Sequence, residues 1–236
     1  MQLTIFTKSN FQSNYGVLVM VSEGPDSSAS APIRSYLIMK AESEKAMKLA
    51  EEWWGNKDVP SYIKIHNFET SDVDEFVALY NRCFLASPDP FCPITPEQAK
   101  QLNPEGIFVA KLWGKLAGFI ACFIEKQSDS NYGEITGIGV LPSRRRKGVA
   151  TALIKRASKY FLDSGVDDVY CEVYEENLPS QLLIQAYGFE EVGRRDIPMQ
   201  AGVPLDSTSS AELPGGKIMR RLGLRPRSGC ETCRDI

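Results

Sequence analysis

The chain has 236 residues, of which 43% are hydrophobic and 24% charged, and its formal net charge is −3. This length and composition are typical of a globular protein with one large domain or one domain and an appendage. So small a net charge argues against general binding to nucleic acid, and no apolar run is long enough to span a membrane. The N-terminus also lacks the pattern of a signal peptide, so we expect a cytoplasmic protein. We further expect a monomer or homodimer that does not bind membranes.

The first 58 residues carry no recognisable motif and are assigned to an N-terminal extension or small subdomain. Apolar runs bounded by polar loops predict three strands in it, at 3–6, 15–21 and 35–39. A helix is predicted from Ala41 to Trp54, which completes a strand-strand-strand-helix (βββα) extension. The adjacent Trp53 and Trp54 suggest either a binding surface or packing against the main domain.

The main domain is assigned to residues 59–236. Periodicity and capping residues predict a strand, two helices and two further strands, at 62–66, 70–84, 95–101, 106–113 and 116–125. The last two strands form a hairpin with a Gly114–Lys115 turn. His66 is the only histidine, and a lone histidine at a strand end is more often structural than catalytic.

The stretch from Glu134 to Phe189 organises the rest of the chain. An apolar run ends at Pro142, a basic turn follows, and an amphipathic helix begins near Gly148. The first turn of this helix presents unpaired N–H groups at the positive end of the helix dipole. Glycine would let a ligand approach the backbone, and the neighbouring cations would attract a pyrophosphate. On this turn alone, a diphosphate site and a solvated basic turn are about equally favoured.

Four segments in order strengthen the first interpretation. Arg145-Arg-Lys-Gly148-Val-Ala150 matches the Arg/Gln-x-x-Gly-x-Gly/Ala signature of the GNAT superfamily of N-acetyltransferases. Glu134–Val140, Val169–Tyr174 and Asn177–Phe189 resemble the fourth strand, the fifth strand and the Gly-Phe motif of that superfamily. The resemblance covers roughly residues 61–198. It implies an α/β fold (an α+β mixed sheet) splayed between its fourth and fifth strands.

The resemblance also implies the substrates and a coenzyme site. Acetyl-CoA would be the cosubstrate, and the acceptor would be a small-molecule or protein amine. Ile138 and Val140 would contact the pantetheine arm, although Gly137 and Gly139 beside them could simply relieve crowding in the sheet. Asn177 takes a position that contacts pantetheine, with the N-cap of the following helix as its alternative role. The residues assigned to the diphosphate are Arg145, Arg146, Lys147, Gly148, Val149 and Ala150.

An amine acceptor is protonated at neutral pH and must lose a proton before it attacks a thioester. Glu134 is the candidate base, because it lies fourteen residues before Gly148, as in the histone-acetyltransferase branch. A solvated glutamate at a strand end is an equal alternative. Glu172 and Tyr174, on the fifth strand, are further candidates.

The residue expected to protonate the leaving thiolate differs from the family pattern. Many members carry a Tyr five residues before the Phe of Gly-Phe, where this chain has Ile184. Tyr187 is assigned as the catalytic acid in its place. The alternatives are that another residue serves as the acid, that no protein acid is needed or that activity is lost.

The C-terminal end follows the pattern less closely. Residues 201–216 predict a loop, and Lys217–Leu224 is a candidate for the last strand. Residues 217–236 carry six Lys or Arg and two Asp or Glu, a basic tail that could recognise an acidic acceptor. Cys230 and Cys233 have metal-ligand spacing, but a single pair is too few for a zinc site, so no metal is assigned.

Three functions are compatible with these features. The favoured one is an acetyl-CoA-dependent N-acetyltransferase. The second, motivated by Ile184, is a non-catalytic acyl-CoA sensor on the same fold. The third is a module in which the basic tail and the Trp pair bind a protein or nucleic acid, but nucleic acid is disfavoured because aromatic and basic residues do not interleave.

Overall fold

The computed structural model describes residues 33–55, 58–88, 93–126 and 131–198. Within them, seven strands form one mixed sheet, in the order β2-β3-β4-β5-β6-β1-β7. The strands are β1 (Ile33–Glu42), β2 (Ile63–Asn67), β3 (Ile107–Leu112), β4 (Lys115–Lys126), β5 (Asn131–Val140), β6 (Asp168–Tyr174) and β7 (Glu190–Pro198). The helices are α1 (Ser43–Trp53), α2 (Val73–Leu85), α3 (Pro96–Ala99), α4 (Val149–Asp163) and α5 (Leu178–Gln185). The predicted mixed α/β fold is confirmed.

The helices cover the sheet from both sides. The apolar stripe predicted for α4 is buried, with Val149, Leu153 and Phe161 almost fully enclosed. Its partners in this cluster come from strands β3 and β4 and from α1, whose Ala46 and Ala50 are also buried. On the opposite face, Phe76 and Tyr80 of α2 pack against Phe119 of β4, and α3 joins the same cluster. Each face of the sheet thus has its own apolar core.

Strands β5 and β6 are the one parallel pair in the described sheet, and they separate after a short contact. Their pairing is confined to Gly133 with Val169, Glu134 with Tyr170 and Ile135 with Cys171. Beyond this point β5 continues beside β4, while β6 continues beside β1. A change of register between Ala121 and Cys122 of β4 marks a bulge opposite β5. The predicted splay is confirmed, and it leaves the edge of β5 without a strand partner beyond Ile135 in the described sheet.

Strand β1 lies inside the sheet, hydrogen-bonded to β6 on one side and to β7 on the other. Tyr36 illustrates this, because it is paired with both Tyr174 and Arg195. Residues 33–42, assigned from sequence to an extension, therefore belong to the same sheet as the rest of the fold, and α1 packs in the core beside it. Alternation of apolar residues predicts a strand but not its neighbours, so the sequence could not indicate this position. The predicted strands at 3–6, 15–21 and 217–224 lie outside the described residues.

The turn between β3 and β4 differs from the prediction by one residue. Leu112 pairs with Lys115, so the two turn residues are Trp113 and Gly114 instead of Gly114 and Lys115. Both have positive φ, 51° at Trp113 and 80° at Gly114, as two-residue hairpins with type I′ geometry require. The sequence Trp-Gly is an unusual choice for this turn, because a bulky residue rarely adopts positive φ. This is why the prediction placed the turn after Trp113.

Candidate active site

A cleft of about 710 Å³ lies along the open edge of β5, between α4 and α5, and none of its lining residues comes from β6. Nine of the eleven residues assigned from sequence line it: Ile138, Val140, Arg145, Arg146, Gly148, Val149, Ala150, Asn177 and Tyr187. Lys147 and Glu134 are the two that do not. The lining also includes residues that sequence reasoning did not assign, among them Cys83 of α2 and Leu49 and Trp53 of α1.

The head of α4 faces the cleft without a side-chain cap. Gly148 is the N-cap residue, with φ of 79°, and no side chain accepts a hydrogen bond from the first turn. The first turn also carries no acidic residue. Its backbone N–H groups, together with the positive end of the helix dipole, form a site suited to an anion.

Glycine at 148 is explained by packing as well as by its backbone angle. A Cβ at this position would lie 2.2 Å from Cη2 of Trp54, well inside van der Waals contact. The space beside the glycine is therefore filled by α1 and not held open for a ligand, which corrects the reason inferred from sequence. The same contact anchors the end of α1 against the head of α4.

The basic turn divides its cations between two surfaces. Arg145 and Arg146 line the cleft, and the Nε of Arg145 donates to the carbonyl oxygen of Val140 at 3.2 Å. Lys147 instead places its ammonium group 5.3 Å from the ring centre of Trp113, on the β3–β4 turn. Its side chain is thus directed away from the predicted site, and the two arginines supply positive charge at the mouth of the helix head.

Strand β5 presents an edge that no strand in the described part of the chain covers beyond Ile135. Ile138 and Val140 lie on this segment and line the cleft. A Cβ on Gly139 would lie 2.6 Å from Cε1 of Phe119 and 3.0 Å from Cβ of Cys83. Gly139 therefore relieves crowding under α2, which is the alternative explanation that the sequence analysis gives for this glycine. The open backbone edge remains available to an extended ligand, as in strand addition.

Asn177 has a structural role at the entrance to α5. Its side-chain oxygen accepts from the N–H of Ser180 at 3.3 Å, which makes it the N-cap of the helix. Its Nδ2 donates to Oγ of Ser87 at 3.1 Å, in the segment that follows α2. Asn177 thus holds two walls of the cleft together while lining the cleft itself.

Tyr187 is buried at the end of α5, and its hydroxyl donates to Oγ1 of Thr151 at 2.6 Å. Burial raises the pKa of Tyr187, and the hydrogen bond to Thr151 offsets this only in part. The phenol is therefore protonated at neutral pH and able to act as a proton donor. Ile184 occupies a different environment, because it is buried in the apolar core and does not line the cleft.

Glu134 lies in the closed part of the splay, paired with Phe123 on one side and with Tyr170 on the other. Its exposure is 8%, and it is not one of the residues that line the cleft. Burial raises the pKa of the neighbouring Tyr132, and the charge of Glu134 adds to this effect. The structure thus brings Tyr187 to the cleft and leaves Glu134 behind its closed end.

The other candidate base, Glu172, is held in an ion pair. Nη2 and Nε of Arg195 donate to its Oε2 at 2.7 and 3.0 Å. A carboxylate fixed by two charge-assisted hydrogen bonds is a poor proton acceptor, so this geometry disfavours Glu172 as the base. Tyr174 packs against Tyr36, with ring centres 5.5 Å apart.

Cys83 is the one thiol among the described residues that lines the cleft. Burial raises its pKa to about 12, and the nearby Arg145 lowers it only in part. The side chain is therefore a thiol at neutral pH, and its nucleophilicity is suppressed.

Two negative observations apply to the residues that the structure describes. No helix among them is long and apolar enough to cross a membrane. No group of three or more His, Cys, Asp or Glu side chains among them is arranged to hold a metal ion. Cys92, Cys230, Cys233 and the basic tail at 217–236 lie outside the described residues.

A splayed mixed sheet, a strand edge open along the cleft and an uncapped helix head flanked by arginines form a site suited to an extended ligand that carries an anionic group. Comparison with known proteins gives the family. The sequence model described as "Acetyltransferase (GNAT) family" matches residues 73–189. An N-alpha-acetyltransferase from Sulfurisphaera tokodaii is 31% identical over 138 residues, which are 55% of this chain and 81% of that protein. Another from Saccharolobus solfataricus is 30% identical over 155 residues, 62% of this chain and 88% of that protein.

A solved structure shows the same fold. The crystal structure of a GCN5-related N-acetyltransferase from Sphaerobacter thermophilus has a TM-score of 0.51 at 18% identity, over 75% of this chain and 55% of that one. The chain belongs to the acetyltransferase (GNAT) family. It is an acetyltransferase that uses acetyl-CoA as cosubstrate and transfers the acetyl group to an amine.

Proposed function

We propose that the cleft along the open edge of β5 binds acetyl-CoA and that the acceptor amine attacks the thioester directly within it. The observation that carries this proposal is the head of α4, which opens into the cleft with no side-chain cap and with Arg145 and Arg146 beside it. A diphosphate there would accept hydrogen bonds from the backbone N–H groups and be neutralised by the arginines. The pantetheine arm would then follow the open edge of β5 past Val140 and Ile138.

The chemistry requires one proton to leave the amine and one to reach the thiolate. The amine nitrogen forms a bond to the carbonyl carbon, the carbon–sulfur bond breaks, and the sulfur leaves as the thiolate of coenzyme A. We assign Tyr187 as the group that protonates this thiolate, because it lines the cleft as a neutral phenol. We assign Glu134 as the acceptor of the amine proton, acting through water because its carboxylate does not line the cleft.

The position of Ile184 bears on whether the chain is a catalyst or a sensor. Ile184 is buried in the core and does not line the cleft, whereas Tyr187, two residues after α5, does. The missing tyrosine is thus a feature of how α5 packs, and Tyr187 supplies a phenol from a different position. This favours the enzyme over the non-catalytic sensor.

The acceptor is proposed as a small-molecule or protein amine. Two relatives are named N-alpha-acetyltransferases, so peptides with free α-amino groups are the first acceptors to assay. The described cysteines Cys83, Cys122 and Cys171 are free thiols, which supports the proposed location in the reducing cytoplasm.

Substitution of Ala150 tests the coenzyme site. Ala150 lies in the first turn of α4 and lines the cleft. Glutamate there is favourable for the helix itself, because it complements the helix dipole, but it places negative charge beside the diphosphate. Ala150→Gln is the matched control, since it adds the same bulk without charge.

With acetyl-CoA at about 100 times its Kd, we expect stabilisation of about 2.7 kcal/mol in the wild type, or roughly 5 to 10 °C in Tm. Ala150→Glu should abolish this shift and Ala150→Gln should retain part of it. Wild-type protein with no coenzyme-dependent shift, or an Ala150→Glu variant with a full shift, would contradict the proposed site. Release of free thiol over a panel of amines and peptides then separates the enzyme from a sensor.

A further inference from the structure

Helix α1 forms a third wall of the cleft, beside α4 and α5. Leu49 and Trp53, four residues apart and hence on one face of α1, both line it. The helix is anchored at both sides of the opening. Trp54 packs on Gly148 at the head of α4, and a Cβ on Gly188 after α5 would lie 3.2 Å from Cδ1 of Leu49.

The two adjacent tryptophans have different environments. Trp54 is half-buried, and its ring fills the space beside Gly148. Trp53 is 57% exposed although it lines the cleft. The two rings meet edge to face, with centres 4.6 Å apart. Trp54 thus accounts for the packing of α1 and holds Trp53 in place, while the ring of Trp53 is left with a large accessible surface.

The position of Trp53 indicates that it faces the nucleoside end of the proposed coenzyme. With the diphosphate at the head of α4 and the pantetheine arm directed inward along β5, the nucleoside end must extend outward from Gly148. On that side the cleft is bounded by α1, with Trp53, and by exposed Leu178 and Leu182 of α5. Trp53 therefore adds a flat aromatic ring to a lining that includes these exposed leucines, and such a ring suits a planar heteroaromatic base.

We propose that Trp53 is a stacking platform for the adenine base of acetyl-CoA, and this inference rests on the proposed function. Stacking of a base on an aromatic side chain is worth about 1 to 3 kcal/mol, which corresponds to roughly 5- to 150-fold in affinity. Trp53 would thereby distinguish intact acetyl-CoA from acyl carriers that have the same pantetheine arm and no adenine. The residue comes from the N-terminal part of the chain, outside the residues 73–189 that match the family model.

The test compares two ligands on each variant by calorimetric titration. One is acetyl-CoA, and the other is S-acetyl-4′-phosphopantetheine, which keeps the arm and a phosphate but lacks the adenosine. Trp53→Ala should weaken acetyl-CoA binding by roughly 5- to 150-fold and leave the binding of the shorter ligand unchanged. Trp53→Phe should lose less, because a smaller ring still stacks. Tyr62→Ala is the control for loss of an exposed aromatic ring, since Tyr62 is 43% exposed and does not line the cleft.

Other outcomes of these titrations would overturn either the role of Trp53 or the proposed function. Equal acetyl-CoA affinity in wild type and Trp53→Ala would overturn the inference and leave the proposed function intact. Equal weakening of both ligands would also overturn it, because it would show that Trp53 only supports the shape of the cleft. Tighter binding after Trp53→Ala would show that the ring obstructs the nucleotide. Failure of the wild-type protein to bind acetyl-CoA would instead refute the proposed function.

Discussion

The indole of Trp54 occupies the position that a side chain at residue 148 would need, since a Cβ on Gly148 would lie 2.2 Å from its Cη2. This contact joins the end of α1 to the N-cap of α4 at the proposed diphosphate site. Gly148 also has a φ of 79°, which disfavours any residue with a Cβ. Two independent constraints therefore require glycine here.

Gly148→Ala should destabilise the fold by about 2 to 4 kcal/mol, the sum of a strained backbone and an overpacked contact. Chemical denaturation measures the loss. Trp54→Ala in the Gly148→Ala background should recover the overpacked part and leave the backbone strain. Strictly additive effects of the two substitutions would show that the side chains do not compete for this space.

Tyr187 donates to Thr151 at 2.6 Å, so its hydroxyl has both a structural and a proposed catalytic role. Tyr187→Phe should lower kcat by about 10²-fold or more, with little change in KM for acetyl-CoA, if the phenol protonates the thiolate. Thr151→Val is the matched control, because it removes the partner and keeps the hydroxyl of Tyr187. Equal loss of activity in both variants would assign the hydroxyl to structure alone.

The raised pKa of Tyr187 also predicts how kcat depends on pH. Burial raises the pKa of Tyr187 above its usual value near 10. A raised pKa keeps the phenol protonated through neutral and mildly alkaline pH, so ionisation of Tyr187 should not reduce kcat below about pH 10. A basic limb centred near pH 8 that disappears in Tyr187→Phe would contradict this assignment.

Glu134→Gln tests the proposed base with the least change in shape. If Glu134 accepts the amine proton through water, kcat/KM should fall by about 10²- to 10⁴-fold near neutral pH. The loss should shrink as pH rises, because more of the amine is already deprotonated. Glu172→Gln, which disrupts the ion pair with Arg195, serves as the comparison. A Glu134→Gln variant with wild-type kcat/KM across pH 6 to 9 would remove Glu134 from the mechanism.

Cys83 lines the cleft but should not form an acetyl-enzyme. With a pKa of about 12, only about one thiol in 10⁵ is ionised at pH 7. Cys83→Ala should therefore retain most of the activity, and steady-state kinetics should show a ternary complex instead of a ping-pong pattern. An acetylated Cys83 that accumulates when acetyl-CoA is mixed with enzyme alone would contradict direct transfer.

The sole histidine forms a structural pair that should govern stability at acid pH. Nε2 of His66 and the N–H of Glu69 contact Oδ2 of buried Asp72, at 2.8 and 3.1 Å. Burial raises the pKa of Asp72, but these two contacts and Lys111 outweigh it and lower the pKa overall. A lowered carboxyl pKa contributes stability that is present above the unfolded value near 4 and lost as pH falls through the folded value.

Asp72→Asn should cost about 2 to 4 kcal/mol at pH 7 and progressively less below pH 4, where wild-type Asp72 also becomes protonated. Urea unfolding at pH 7 and pH 3 measures both values. Glu190→Gln, which disrupts an exposed pair with Lys45, should change stability little at either pH. A cost for Asp72→Asn that does not depend on pH would contradict the electrostatic explanation.

Motif spacing, helical periodicity and capping residues predicted those parts of the site that are built from neighbouring residues in the chain. The basic turn, the helix after Gly148 and the N-cap at Asn177 all follow from residues within a few positions of one another, and the structure has each of them. The separation of β5 from β6 came from a resemblance, since nothing local to Gly137 or Gly139 indicates where a neighbouring strand ends. The direction of Lys147 could not be predicted because it depends on the ring of Trp113 from a different hairpin.

The contribution of α1 depends on packing between distant residues. The periodicity of residues 41–54 predicts the helix and the apolar pair at its end, but the glycines that its side chains contact, Gly148 and Gly188, lie about 95 and 140 residues further along the chain. Trp53 and Leu49 were therefore absent from the predicted site. One sequence signal indicated that Trp53 is exposed: it is adjacent to Trp54, and two adjacent tryptophans cannot both face the interior from one helix.

The position of β1 has a consequence for any shortened version of this protein. A fragment that begins at residue 59, where the family resemblance starts, would lack the strand that separates β6 from β7. It would expose two new sheet edges and the apolar surface that α1 covers, which favours aggregation over folding. Expression trials that trim the N-terminus toward the matched region should therefore yield insoluble protein, whereas trials that begin before Ile33 keep the sheet continuous.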